Sequence, residues 1–316
     1  MTQSSFVEAL LAPGAGRNKR LERIATLIDW TAVERLLAPL RSGEIGRKPY
    51  WALAMFKALV LQQWYGLSDP GLEEALADRL SFKRFCGFAM DEETPDHSTI
   101  WRFREAATQA GLGEALFDEI ARQFEAKGLM IKTGTLIDAS LTQAAVKTPP
   151  HEKGLGAASE TDPDAAWTRK GGKSHFGYKG HIGVDLGSGL VRKRDFTPAN
   201  VNDTVVADAL ICGDEKAVYA DKAYASRARR AWLRSAGVKD RIMHKSWGGG
   251  PPLTHWQKRM NALIAPLRAG VERVFGTLKR GYGLARMRYR GLSRCATAFD
   301  LMLIGYNLRR AEVLTR

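Results

Sequence analysis

The sequence predicts an α+β chain, with an all-helical domain over residues 20–128 and an α/β domain with a mixed sheet over residues 129–316. Three observations predict this. Apolar residues recur at helical spacing through the first segment. The pattern changes at Gly128, after which short strand-like runs alternate with helical ones. Two of those runs, Thr133–Asp138 and Ala217–Asp221, end in an aspartate, as strands do when their carboxyl ends meet in one crevice.

Residues 1–19 are small and polar and read as a flexible arm. Leu21, Ile24, Leu27, Ile28, Val33, Leu36, Leu37 and Leu40 keep helical spacing, interrupted near Trp30-Thr31, with Asp29 or Thr31 as a cap. Tyr50 to Tyr65 reads as a buried helix. Asp69-Pro70 opens another by placing proline in its first turn. Ser81 to Phe85 is a short basic-aromatic helix, and Glu93 to Ser98 is a loop that caps the helix after it. Leu112 to Lys127 closes the helical part. The three short helices of residues 70–107 have helix-turn-helix proportions, and a plain helical bundle explains them equally well.

In the second domain, residues 146–178 are polar and rich in Gly, Lys and Pro, and read as an irregular loop insertion. His181–Asp185 and Leu190–Phe196 flank LGSG as a hairpin. Asn202-Asp203-Thr204 caps a helix, Ser226–Ala236 is a helix with four arginines, and Arg241–Met243 is a short strand. His244–Pro252 is a Gly-Pro loop holding Trp247. A helix follows up to Gly281, and a last one runs from Arg294 to Val313.

The chain has 316 residues and a formal charge of +14, which favours a polyanionic partner, nucleic acid or an acidic membrane surface. No uncharged apolar run approaches the roughly 18 residues that a membrane span needs. Three scattered cysteines exclude a disulfide framework, and no CxxC suggests zinc. Nothing at the N-terminus reads as a signal peptide, so a cytoplasmic setting is expected.

The helix Val271–Gly281 carries one acid, Glu272, among cations. Arg268 lies four residues before it and Lys279 seven after, about 40° and about 20° away around the helix, so the three share a face. Two aspartates and one glutamate converging in a basic cleft suit Mg²⁺ or Mn²⁺, which take hard oxygen ligands and phosphate oxygens. A pair of such ions about 3.5–4 Å apart serves in-line displacement at phosphorus. Asp138, Asp221 and Glu272 are the candidate metal-binding and catalytic acids. Asp185 sits where a hairpin turn favours aspartate, Asp203 reads as a helix cap, and Asp195 on a basic strand reads as a salt-bridge partner.

TLIDAS, HFGYKGHIGVDLGSGLVRKRDFTPANVNDT, VYADKAYAS and LRAGVERVFGTLKRGYGLARMRYRG resemble the core of bacterial insertion-sequence transposases of the DDE type, in particular the insertion sequence 5 family. RKPYWALAMFKALVLQQWYGLSDPGLEEALADRLSFKRFCGF with PDHSTIWRFRE is similar to that family's N-terminal helical module. The resemblance spans about Lys48 to Arg310. It implies an RNase H-like catalytic domain in which Asp138, Asp221 and Glu272 hold two Mg²⁺ or Mn²⁺ ions. It also implies a family arginine–glutamate–lysine set formed by Arg268, Glu272 and Lys279. Ala265 stands where the family often has tyrosine, and Ala223 where it often has glycine.

The expected function is that of a transposase. It binds the terminal inverted repeats of its element, cleaves them with water, and joins the freed 3′-OH ends to target DNA, as a homodimer or higher oligomer on double-stranded DNA in a bacterial nucleoid. A transposase-derived repressor or architectural protein without cleavage, and a metal-dependent nuclease without strand transfer, are the alternatives. Candidate DNA contacts are Arg268, Lys279, Arg273, Arg280, Lys170, Lys173, Lys179, Arg229 and Arg230, with Trp247 as a stacking residue. In the helical domain, where end binding or dimerisation is expected, they are Lys83, Arg84, Arg102 and Arg104.

Overall fold

The computed structural model describes residues 14–40, 49–150, 158–246 and 250–316. They fall into two compact units, Met1–Gln123 with Asp300–Arg316, and Phe124–Phe299. The second part of the first unit was not expected. The last helix is continuous from Leu292 to Leu314, and its residues from Asp300 onward belong with the helical unit.

In the helical unit, α1 (Lys19–Leu27) starts at Asn18, whose side chain accepts from the Arg20 and Leu21 amides. Asp29 caps α2 (Trp30–Leu36) in the same way, which settles the break near Trp30. At the centre is α3 (Ala52–Tyr65), buried on nearly every side because its run of apolar residues offers no polar face. It ends at Gly66, whose φ of 64° is the left-handed cap conformation that a side chain would oppose. Against it pack α4 (Asp69–Asp78), α5 (Leu80–Cys86) and α6 (His97–Gln109), and α7 (Leu112–Ala126) follows in the chain. A buried polar network ties three of these helices. Arg104 of α6 pairs with Asp69 of α4, donating to Oδ2 at 3.0 Å and also to Oδ1, and donates to Gln62 of α3 at 3.1 Å. Trp64 Nε1 donates to the Gly305 carbonyl at 2.7 Å, which joins α3 to the end of the chain.

The second unit is built on a six-stranded sheet. Its strands are β1 (Thr135–Gln143), β2 (Ala166–Lys170), β3 (Lys173–Asp185), β4 (Val191–Pro198), β5 (Ala217–Ala220) and β6 (Lys239–Ile242). The order is β2-β3-β1-β5-β6, with β4 also paired to β3. β3 is antiparallel to β1, β2 and β4, whereas β1, β5 and β6 run parallel. The expected irregular loop 146–178 is therefore corrected in part. β2 and the first residues of β3 form a hairpin there, turned by Gly171 and Gly172 at φ of 58° and 79°.

Helix α8 (Asp203–Val206) has Asn202, not Asp203, as its cap. It packs with α9 (Arg227–Ser235) on one face of the sheet, around Ile137, Leu210, Val218, Leu233 and Ile242. Helix α10 (His255–Gly281) meets β1 and β5 and buries Val271, Val274, Phe275 and Leu278. Its approach to β1 is close at one point, where a Cβ on Gly270 would lie 2.6 Å from Leu136 Cδ1. Side chains alternate along a strand, so Asp138 shares the α10 face with Leu136 while Ile137 faces the other way. Helix α11 is the terminal Leu292–Leu314. No described helix is long and apolar enough to cross a membrane.

Candidate active site

β1 and β5 pair in register through Ile137 and Ala220, so Asp138 and Asp221 are the next residues on two adjacent parallel strands. β5 stops there. β1 does not, because β3 continues to pair with it as far as Gln143, so Asp138 lies inside a strand and does not end one as expected. Asp138 Oδ1 accepts from the Ala139 amide at 2.9 Å, and Asp221 Oδ1 accepts from the Lys222 amide. The remaining oxygens face one guanidinium. Arg268 Nη2 is 3.5 Å from Asp138 Oδ2, and its Nη1 is 3.8 Å from Asp221 Oδ2. Glu272 follows Arg268 by four residues on α10, one turn along the same face, and is exposed.

Burial pushes the Asp138 carboxyl above its usual range, against the Ala139 amide, Arg268 and Lys170, which pull it down. Tyr224, three residues past Asp221, is 1 % exposed, and its hydroxyl has no hydrogen-bond partner. Burial, and then the Asp138 charge, push that phenol upward. The Arg268 Nε is also buried without a partner. These orphaned atoms and a desolvated carboxylate mark a site whose polar groups the protein does not satisfy by itself. The donor set is all-oxygen acid, which fits a hard divalent cation. Strand pairing sets Asp138 beside Asp221, and Glu272 is linked to them by its position one turn after Arg268. Sequence reading missed Tyr224, although its place three residues after a strand-end aspartate was a visible signal.

A different acidic group, Cys212, Asp214 and Glu215, has ligand atoms all within 4.8 Å of one another. It precedes β5, at the opposite end of that strand from Asp221. Its Asp214 is held by Arg192 and Lys132, each at 2.6 Å.

Five of the expected DNA-binding cations have partners within the protein. Lys83 is buried and donates to the Met90 and Glu92 carbonyls, each at 3.0 Å. Arg104 sits in the network with Asp69 and Gln62. Lys179 donates to Asp203 and to the Val201 carbonyl, each at 2.7 Å. Arg229 is buried against Asp208 and the Tyr224 and Thr204 carbonyls. Arg230 pairs with Asp240 and donates to the Ile242 carbonyl. Each of these charges is engaged inside the protein. Lys170, Lys173, Arg84, Arg102, Arg273, Lys279 and Arg280 are exposed, although Arg84 also donates to the Ala15 carbonyl. Partial desolvation of its side chain, and then the nearby Lys170, lower the ammonium of Lys279 below its usual value although the residue as a whole is exposed. Trp247 lies outside the described residues.

Residues 131–308 match the family model of a transposase DDE domain, and residues 12–106 match that of a transposase domain (DUF772). The chain belongs to the DDE transposase family. The catalytic unit of this transposase has an RNase H-like fold, with an antiparallel β3 and β4 beside parallel β1, β5 and β6. The family generally uses divalent metal ions. Among solved structures, a piggyBac transposase synaptic complex with hairpin DNA is 11% identical, with 94% of this chain and 73% of that one covered at a TM-score of 0.46. The Mos1 strand transfer complex is 12% identical, with 86% and 81% covered at 0.20. Both likenesses are too weak to transfer any detail.

Proposed function

We propose that this transposase binds the terminal inverted repeats of its own insertion sequence, cleaves the ends and joins the 3′-OH ends to target DNA. The supporting observation is the pair Asp138 and Asp221, side by side on parallel strands and facing Arg268 of α10. The ordered motifs favour the insertion sequence 5 branch of the family. Asp138, Asp221 and Glu272 are assigned as the catalytic acids.

A divalent ion held by these carboxylates would supply charge stabilisation to an in-line displacement at phosphorus. The chain's own groups do the rest. Half-buried Asp138 is fixed by its strand and by the Ala139 amide, so its free oxygen needs little reorganisation. Arg268 offsets the repulsion of two adjacent carboxylates and can turn to a phosphate when the substrate arrives. Lys279, with Lys170 near it, adds point charges for phosphates further along the strand. The helical unit reads the DNA end or mediates dimerisation, with Arg84 and Arg102 as its exposed candidate contacts.

The test incubates purified protein with labelled element ends and Mn²⁺, with and without a target plasmid. Nicked ends and joined products are expected from wild type. Asp138→Ala, Asp221→Ala and Glu272→Ala should each abolish cutting and leave end binding intact. Normal cutting by any one of them removes that residue from the assignment. Cutting without joined products identifies a nuclease.

A further inference from the structure

The hairpin of β2 and β3 reaches past the rest of the sheet. β1 pairs with β3 no nearer the turn than Gly177, and β4 no nearer than Tyr178. The Phe176 carbonyl still accepts from the Ala144 amide at 3.2 Å, and beyond it β2 and β3 pair only with each other. Trp167 against Phe176, with ring centres 5.3 Å apart, anchors the base. From Lys173 to His175 the ribbon stands free for roughly 10 Å, at about 3.3 Å per residue. No acid occurs between Asp164 and Asp185. Arg169, Lys170 and Lys173 are exposed at the tip, and none has a side-chain hydrogen bond or ion pair among the described residues. Lys179, further along β3, shows the contrast, since Asp203 holds it. Paired residues of a ribbon share a face, so Thr168, Lys170, Lys173 and His175 line one face that is polar throughout. Arg169 is on the other.

The place is as informative as the charge. β1 and β5 are parallel, and the hairpin projects beyond the carboxyl end of β1, the edge of the sheet at which Asp221 follows β5. The charge of Lys170 acts on both Asp138 and Lys279, so the tip is near the carboxylates and α10. A two-stranded ribbon fits the major groove of DNA, which is about 8.5 Å deep, and the free length is enough to reach its floor. Lysine donates to guanine there, and threonine and histidine can bond to a base edge. We propose that the hairpin enters the major groove of the duplex that lies across Asp138 and Asp221, turning the face of Lys170 and Lys173 to the base edges. This rests on the proposed DNA-cleaving function. It gives the catalytic unit its own share in reading the DNA end. A hairpin that only neutralises backbone phosphates is the competing account, and the test separates the two.

Full-length wild type, Lys170→Gln with Lys173→Gln, Asp138→Asn and Lys216→Gln are compared on labelled element-end duplex. Lys216 is exposed just before β5, at the far end of that strand from Asp221. The substituted lysines are all exposed, so their variants should melt as wild type does. The double variant should lose about two units of the slope of log affinity against log salt, whereas Lys216→Gln keeps the wild-type slope. An unchanged slope in the double variant overturns the proposal. The groove is tested with a duplex whose purines next to the cut are 7-deazapurines, which lack the N7 acceptor of the major groove. Wild type should bind it about tenfold more weakly than the natural duplex, and the double variant should bind the two nearly alike. A slope loss without that difference between wild type and the double variant overturns groove entry in favour of phosphate contacts alone. Asp138→Asn reports on the parent reading. Cutting by this variant removes the catalytic assignment, and the slope and 7-deazapurine results in the double variant then still support or overturn the hairpin as a groove contact.

Discussion

Gly270 is where helix α10 touches the sheet, and Gly270→Ala tests whether that contact sets the site. The new Cβ would lie 2.6 Å from Leu136 Cδ1, and ordinary contact begins at 3.4 Å, so about 0.8 Å must be found. Leu136 is 1 % exposed, so its Cδ1 must shift within the packed core. Overpacking of this kind costs about 1–3 kcal/mol. Alanine in place of glycine within a helix returns roughly 0.5–1 kcal/mol. The net expectation is a loss of up to about 2.5 kcal/mol, read as a fall in melting temperature of up to roughly 10 °C for a unit of this size. The functional loss should be larger. Arg268 and Glu272 flank Gly270 by two residues on either side, and a misplacement of ~1 Å can cost on the order of 100-fold in rate. Gly276→Ala is the matched control, since its Cβ would meet only the Arg280 guanidinium, with Nη2 at 3.5 Å. It should gain stability and keep activity. Adding Leu136→Ala to Gly270→Ala should restore much of the cutting by making room. Denaturant melts and Mn²⁺-dependent cleavage of labelled ends measure both effects. If Gly270→Ala behaves like Gly276→Ala in both assays, the contact does not position the site.

The remaining predictions concern charge. Lys279→Ala should keep Mn²⁺ binding and lower the salt slope of end binding by about one unit, and Glu272→Ala should do the reverse, which calorimetry and anisotropy will separate. Arg104→Ala strands Asp69 and Gln62 in the helical unit and should cost about 3–5 kcal/mol, visible in a denaturant melt. His181 is 0 % exposed, and burial lowers its imidazole to about 4. Because the folded value lies below the unfolded one, this stability is present above about pH 6.5 and is lost as the pH falls towards 4. That loss is about 3 kcal/mol, and His181→Gln should flatten the acid limb of the stability profile between those values.

The order of elements, the helix boundaries near Leu21–Tyr65 and the place of Asp221 at the end of β5 were legible because each has a local cause. Periodicity marks a buried face, Asn18, Asp29 and Ser68 each cap the helix that starts beside them, and a strand-end acid sits beside its own strand. Charge is a different matter. Lys179, Arg229 and Arg104 look like any other basic residue in the sequence, yet their partners lie 24, 21 and 35 residues away in Asp203, Asp208 and Asp69. Only the fold brings those acids within reach, and a buried cation must find such a partner or be destabilising. The hairpin at β2 and β3 was hidden for a related reason. Its residues are polar and its glycines mark a turn, and pairing with the long β3 supplied the ladder that its own composition does not announce. The same holds for Asp138, which looked like the end of a strand because the segment's own pattern stops there. β1 runs on to Gln143 because β3, more than thirty residues later, continues to offer hydrogen-bond partners. Local sequence marked which residues are candidates for the chemistry, and long-range pairing decided which charges the fold engages elsewhere.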